Sequence, residues 1–243
     1  MSSSPHNNKP TGLHTALSNC KATILSVWST IPTPAQYALL ASSALLLLYR
    51  LRQMPKRIQN SAFFTPDTFK QHPKLKGVVT SVGDADGFRI YHTPWLFSTF
   101  KPGKKVSADQ TIHIRLAGVD APELAHFGSK SQPFGPEALA HLKKLILHKK
   151  VIIRPYRKDQ YGRIVASCSV PYFGGLLSKD VGSDMLKHGL AVVYTQGGAV
   201  YGGREQEYTA TEARAKARKI GVWSQRNFRT PAEHKAKAKM NNM

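Results

Sequence analysis

Five short segments in the middle of the chain alternate apolar and polar residues or are rich in β-branched residues, which is the pattern of β-strands. Each segment is bounded by Gly, Pro or Asp, which favour turns. Five strands of this length suit a small barrel. The segments are GVVTSV (77–82), FRIYHT (88–93), TIHIRLAGV (111–119), VIIRPY (151–156) and RIVASCSV (163–170).

Three further segments have the character of helices. PEALAHLKKLIL (136–147) places Leu139, Leu142, Leu145 and Ile146 on one stripe and has a proline at its start, where the first turn of a helix tolerates one. SKDVGSDMLKHG (178–189) and REQEYTATEARAKARKIG (204–221) both stop at a glycine, a common residue at helix ends. The pattern predicts a domain of the α+β class that contains five strands and three helices.

The N-terminal part of the chain contains one dense apolar segment. Between Ala22 and Tyr49 there is no charged residue, and residues 32–51 supply the length of about 20 mostly apolar residues that crosses a bilayer. We therefore predict one transmembrane helix over 32–51, between a polar or targeting segment (1–31) and a basic linker (52–74). A cleaved signal peptide is disfavoured by the long polar lead, and a buried core helix by the basic residues that follow.

The charge balance of the chain is strongly basic. Lysine and arginine number 35 against 14 acidic residues, giving a net charge of +21 and a pI near 10.1. Such a surface attracts polyanions, so nucleic acid and anionic membranes are the expected partners, and no protein partner can be inferred. Residues 225–243 lack apolar periodicity and are predicted to be a disordered basic tail. Two cysteines do not support a disulfide framework.

Acidic residues are concentrated at two turns of the predicted barrel. Asp86 lies in GDADG, between the first two strands, and Asp120 lies in RLAGVDAPE, after the third. Neighbouring barrel strands would bring these carboxylates to one rim, where mutual repulsion calls for a cation. Hard oxygen ligands match Ca²⁺ or Mg²⁺.

Two arginines and a glutamate complete a candidate hydrolytic site. Phosphodiester hydrolysis needs a base that activates water and planar guanidinium groups that bind the phosphate. Glu123 suits the base, and Arg115 and Arg163 suit the phosphate ligands. Taken singly, each motif also fits an ordinary turn or a surface charge.

The ordered set GDADG, RLAGVDAPE, FGPEA, DQYGR, HGLAVVY and KIGVW resembles the staphylococcal nuclease (thermonuclease) family over residues 75–224. The family fold is an OB-type five-stranded barrel with three packing helices, in agreement with the elements predicted above. With its N-terminal segment, the chain is similar to membrane-anchored fungal endonucleases assigned to mitochondria. A single-pass mitochondrial membrane protein is therefore expected, with another intracellular membrane as the alternative.

The resemblance implies calcium-dependent cleavage of DNA and RNA. It places Arg115 and Arg163 on the catalytic arginines, Glu123 on the general base, Asp86 and Asp120 on the calcium carboxylates, and Ala121 on a ligand that acts through its backbone carbonyl. The family's DGDT motif is altered here, because Ala85 replaces a turn glycine and Gly87 replaces a hydroxyl residue.

Two other functions also fit the composition. A catalytically silent nucleic-acid-binding module could use the basic surface with Tyr156, Tyr161 and Tyr194, and a structural membrane protein could bind anionic lipid headgroups. The glycine-rich segment QGGAVYGG (196–203) is interpreted as a connector. The histidines lack the spacing of a zinc motif, which favours surface or strand histidines; they include His92, His113, His126, His141, His148 and His188.

Overall fold

The computed structural model describes residues 19, 21, 23, 26, 33–52, 56–94, 100–125 and 131–234. The chain divides into two compact units, Met1–Pro55 and Lys56–Met243. Most of the predicted segment 1–31 and the end of the predicted tail, 235–243, lie outside the described residues.

The described part of the first unit contains the helix α1 (Thr33–Arg52). Among the helices of the described residues, none combines the length and the apolar content that a bilayer crossing requires. The structure therefore confirms a helix here but does not support the transmembrane prediction over 32–51. Helix α1 is long enough, but Thr33, Gln36 and the arginines at its end, Arg50 and Arg52, reduce its average apolarity.

The second unit is built on a closed β-barrel. Strands β1, β2, β3, β5 and β6 pair with their neighbours in the order β3-β2-β1-β5-β6, and a parallel pairing of β3 with β6 closes the sheet. All five predicted strands are present, and the OB-type barrel of the α+β class is confirmed. The barrel strands are β1 (Leu75–Val82), β2 (Gly87–His92), β3 (Ile112–Leu116), β5 (Lys150–Lys158) and β6 (Ile164–Tyr172).

The described residues form three further short strands. Strand β7 (Leu177–Asp180) adds to the free edge of β6, while β4 (Val119–Asp120) and β8 (Val192–Val193) form a separate two-stranded ladder. The segment predicted as one helix over 178–189 is thus divided into the end of β7 and a helix. The strand ends and the helix begins at Asp180. Its carboxylate caps the helix N-terminus by accepting a hydrogen bond from the Ser183 N–H.

The described residues of the second unit form four α-helices: α2 (Pro66–Gln71), α3 (Gly135–Ile146), α4 (Val181–Lys187) and α5 (Glu205–Ala217). Three of them, α3 to α5, correspond to the predicted helices. On α3, Leu142 and Ile146 are fully buried, as the apolar stripe predicts. They join a core that contains Ile90, Ile114 and Ile153, and each such side chain contributes about 1.5–3 kcal/mol through burial.

The predicted linker over 52–74 contains ordered structure from Lys56 onwards. Arg57 stacks over the Tyr91 ring at 3.8 Å, and the Ile58 N–H donates to His92 Nδ1 at 2.8 Å. Helix α2 follows, and the imidazole of His72 at its end lies 3.0 Å from the Pro155 carbonyl oxygen. These contacts attach the segment to the barrel, so the folded unit begins about twenty residues earlier than the hydrophobic pattern predicts.

Candidate active site

A cleft of about 490 Å³ opens at one rim of the barrel, and charged side chains line it. Arg115, Glu123 and Arg163, the three predicted catalytic residues, all lie in its wall. They come from the end of β3, the loop after β4 and the turn between β5 and β6. The fold therefore brings together residues that are up to 48 positions apart in sequence.

Arg115 bridges the two predicted metal ligands. Its two terminal nitrogens lie 2.7 Å from Asp86 Oδ2 and 2.8 Å from Asp120 Oδ1. The side chains of Asp86 and Asp120 are only 7% and 3% exposed, so neither carboxylate is solvated by bulk water. Burial alone would lower the pKa of Arg115, but the two carboxylates raise it above its ordinary value, and the guanidinium stays charged.

Local backbone geometry explains why Asp86 and Asp120 converge. The β1–β2 turn closes with reciprocal backbone hydrogen bonds between Asp84 and Gly87, and the Leu116 N–H then donates to the Asp86 carbonyl at 2.9 Å. After β3 the chain reverses at Gly118, whose φ of +72° favours glycine. A Cβ there would lie 2.7 Å from the Tyr201 ring, so the turn also needs a residue without a side chain.

The altered DGDT motif still forms a compact turn. Asp84 Oδ1 accepts a hydrogen bond from the Ala85 N–H at 2.9 Å, and the Ala85 side chain is buried. Asp84 lies in the wall of the cleft. The substitutions at positions 85 and 87 are therefore compatible with Asp86 at the Arg115 guanidinium.

Glu123 is positioned through its backbone. Its N–H donates to Gln132 Oε1 at 2.8 Å, and its carbonyl accepts from the Gln132 N–H at 2.8 Å and the Ser131 hydroxyl at 3.2 Å. Gly135 packs beside this carbonyl. A residue with a side chain would not fit there, because its Cβ would lie 2.9 Å from the carbonyl oxygen. The FGPEA motif thus provides space for the Glu123 loop, whereas the buried Gln132 was not predicted from sequence.

Arg163 is held within its own turn. Asp159 accepts hydrogen bonds from the Tyr161 and Arg163 N–H groups at 2.9 Å and from Arg163 Nε at 2.7 Å. Burial raises the pKa of Asp159, but the hydrogen bonds from Arg163 outweigh it and hold the pKa below its ordinary value. The DQYGR motif therefore supplies, within one turn, the Asp159 carboxylate that orients the Arg163 guanidinium.

The cleft wall contains an arginine that was not assigned from the sequence. Arg157 is a third guanidinium in its wall, and a β-bulge that begins after Pro155 places Arg157 opposite Val165, which also lines the cleft. Tyr161 and Tyr194 lie there too, but Tyr156 instead contacts Ser167 and His72. The glycine-rich segment contributes residues 196–200 to the wall, so it is more than a connector.

The predicted ligands are chemically suitable for a divalent metal ion. Asp86 and Asp120 are buried carboxylates that both contact one guanidinium, so their oxygen atoms already face a common cation. Ala121 is buried directly after Asp120. Hard oxygen ligands of this kind fit Ca²⁺ or Mg²⁺.

Comparison with known proteins agrees with the fold and the motifs. Residues 113–225 match the model of the family described as "Staphylococcal nuclease homologue". The match includes Arg115, Glu123 and Arg163, while Asp86 lies before it.

Individual relatives extend the similarity beyond this segment. The chain is 44% identical to "Probable endonuclease LCL3" of Verticillium alfalfae over 199 residues, covering 76% of this chain and 67% of the relative. It is 41% identical to "Probable endonuclease lcl3" of Botryotinia fuckeliana, covering 82% and 80%. For the Pyricularia oryzae protein of the same name the identity is 42%, with coverage of 82% and 79%. The chain belongs to the staphylococcal nuclease homologue family.

Proposed function

We propose that this protein is a calcium-dependent endonuclease that hydrolyses phosphodiester bonds of DNA or RNA. The observation that carries the proposal is the shared cleft, where Glu123 lies with Arg115 and Arg163. The relatives named as probable endonucleases support the same activity. The net charge of +21 would favour the approach of a polyanionic substrate.

The three side chains suit the three requirements of the reaction. The Glu123 carboxylate accepts a proton from water as the water oxygen attacks phosphorus. Arg115 and Arg163 donate hydrogen bonds to the phosphate oxygens, whose negative charge increases in the transition state. The bond between phosphorus and the leaving oxygen then breaks, and the leaving oxygen takes a proton from solvent.

The metal would be held by Asp86, Asp120 and the Ala121 carbonyl. When bound, Ca²⁺ would supply positive charge that stabilises the phosphate group during hydrolysis. Nucleases of this family typically depend on a metal ion, and the buried carboxylates provide the ligand type. The choice of Ca²⁺ over Mg²⁺ rests on the family resemblance.

The test is cleavage of a supercoiled plasmid by the full chain, in Ca²⁺ and then in excess chelator. We expect cleavage only with the metal. Glu123→Gln should lower the rate by about 10²–10⁴-fold, because amide oxygen is a far weaker base. Arg163→Ala should lower it by about 10²–10³-fold, through loss of a donor to the transition state.

Two exposed positions provide matched controls, Glu205→Gln and Arg226→Ala, which change charge by the same amounts away from the cleft. Both should cleave at the parental rate. If Glu123→Gln and Arg163→Ala also cut at that rate, the assigned roles are wrong. If the parent binds nucleic acid but does not cut it under either condition, the protein is a binding module.

A mitochondrial location stays a prediction from the family resemblance. A fluorescent fusion of the full chain that co-localises with a mitochondrial marker would support it. A signal in the secretory pathway would contradict it.

A further inference from the structure

Two histidines and an aspartate form a second polar cluster. His141 of α3 places Nε2 2.7 Å from Asp184 Oδ1, and His188, just after α4, places Nδ1 3.5 Å from the same oxygen. The two imidazole rings lie 4.5 Å apart, centre to centre. None of the three is among the described residues that line the catalytic cleft.

The geometry of the cluster matches the needs of a metal ion. One ligand atom from each residue lies within 4.8 Å of the other two. In a tetrahedral zinc site with bonds of about 2.0–2.1 Å, neighbouring ligand atoms are roughly 3.3 Å apart. The observed distances of 2.7 and 3.5 Å from Asp184 Oδ1 to the two imidazole nitrogens bracket that value.

The surrounding contacts orient the carboxylate and leave one oxygen directed at the imidazoles. Lys179 Nζ lies 3.0 Å from Asp184 Oδ2, while Oδ1 faces His141 and His188. The Asp184 side chain is 6% exposed, whereas that of His188 is 46% exposed. The carboxylate is thus held by Lys179, and an ion could enter from the His188 side.

His188 needs only a small rearrangement to become a ligand. Its Nδ1 now lies 2.8 Å from the Asp184 carbonyl oxygen. This carbonyl also accepts the His188 backbone N–H at 3.2 Å, so it would keep a partner if the imidazole turned towards a metal.

We propose that His141, Asp184 and His188 form a binding site for a divalent transition-metal ion of the zinc class. Two imidazoles and one carboxylate are typical zinc ligands, whereas Ca²⁺ prefers oxygen alone. Water would complete the tetrahedron. The ion would cross-link α3 and the end of α4, so its role is to stabilise the fold, separately from the calcium site proposed at Asp86 and Asp120.

The experiment is a Zn²⁺ titration of metal-free full-length protein with excess Ca²⁺ present, followed by calorimetry. We expect one Zn²⁺ per chain. At about 100 times the Kd, Zn²⁺ should raise the Tm by roughly 5–10 °C. His188→Asn and His141→Asn should each weaken Zn²⁺ binding at least about tenfold, because each removes one ligand.

His148→Asn is the matched control, since this exposed histidine has a φ of +60°, which asparagine tolerates, and lies outside the cluster. It should bind Zn²⁺ like the parent. A second measurement uses only the parent protein, so it does not depend on whether the variants fold. Co²⁺ added in place of Zn²⁺ should produce the intense visible absorption of a tetrahedral site. No Zn²⁺ binding by the parent, no such band, or binding lost in Asp86→Asn but kept in His188→Asn would each overturn the proposal.

Discussion

The two arginines of the cleft reach it from regions of the molecule that are organised differently. Arg115, at the end of β3, is held by two buried carboxylates from separate turns, Asp86 and Asp120. Arg163 is held by Asp159, four residues earlier in the same β5–β6 turn. The first arrangement exists only in the folded barrel, whereas the second is local.

This difference predicts that removal of the two arginines will affect stability to different extents. If Arg115 is removed, two carboxylates remain buried without a counter-ion, and burying an unpaired charge is costly. If Arg163 is removed, Asp159 still accepts two backbone N–H groups of its turn. Both arginines should matter for cleavage, but only Arg115 should matter greatly for stability.

The largest expected effect is that of Arg115→Ala. Loss of the Arg115 guanidinium should lower the free energy of unfolding by about 3–5 kcal/mol, as for other broken buried ion pairs. It should lower the Tm by roughly 10 °C. Urea and thermal unfolding monitored by circular dichroism measure both. Arg163→Ala is the comparison variant and should lose less, about 1.5 kcal/mol, because Asp159 keeps its two backbone N–H donors. Equal destabilisation by the two substitutions would contradict a larger role of Arg115 in stability.

An intermediate effect is expected for Gln132→Ala, which acts on Glu123 through the backbone. The Glu123 N–H would lose its acceptor inside the protein, at a cost of about 1–3 kcal/mol. A displaced base should lower kcat by up to about a hundredfold with less change in KM. Steady-state cleavage of a short oligonucleotide separates the two constants. Ser131→Ala, which removes a longer contact to the same loop, should have a smaller effect on kcat; a larger one would contradict the assignment.

The smallest effect concerns pH and the local turn of Arg163. The pKa of Asp159 is lower in the folded protein than its ordinary value of about 3.9. A depressed pKa stabilises the fold above about pH 4, and this stabilisation is lost as the pH falls through the lower folded value. The urea midpoint of the parent should therefore exceed that of Asp159→Asn at neutral pH and approach it below pH 4. A difference that is constant over this range would contradict the role of the Asp159 charge.

Local patterns were sufficient for the barrel strands and for most of the site. The alternation in FRIYHT and RIVASCSV predicts strands β2 and β6 because a two-residue period exposes one face only. The motifs RLAGVDAPE and DQYGR identify three cleft residues. Gln132 and Arg157 were not identified, because a buried amide and a residue displaced by a bulge have no local signature in the sequence.

The N-terminal apolar segment shows the opposite outcome. Its composition predicts a helix, and α1 is one, but the structure does not support the predicted membrane span. The segment after it was predicted as a linker because it is basic. Its contacts with Tyr91 and His92 involve residues more than thirty positions away, which sequence periodicity does not detect.

The sequence by itself determined the strand pattern, the strong positive charge and the residue types suited to phosphodiester chemistry. Each of these depends on neighbouring residues or on composition. Only the tertiary structure decided that Asp86 and Asp120 share one arginine, and that His141 faces Asp184 and His188 across two helices. The physical reason is that barrel closure and helix packing set distances between residues far apart along the chain, and those distances decide which charges pair and which atoms can bind one ion.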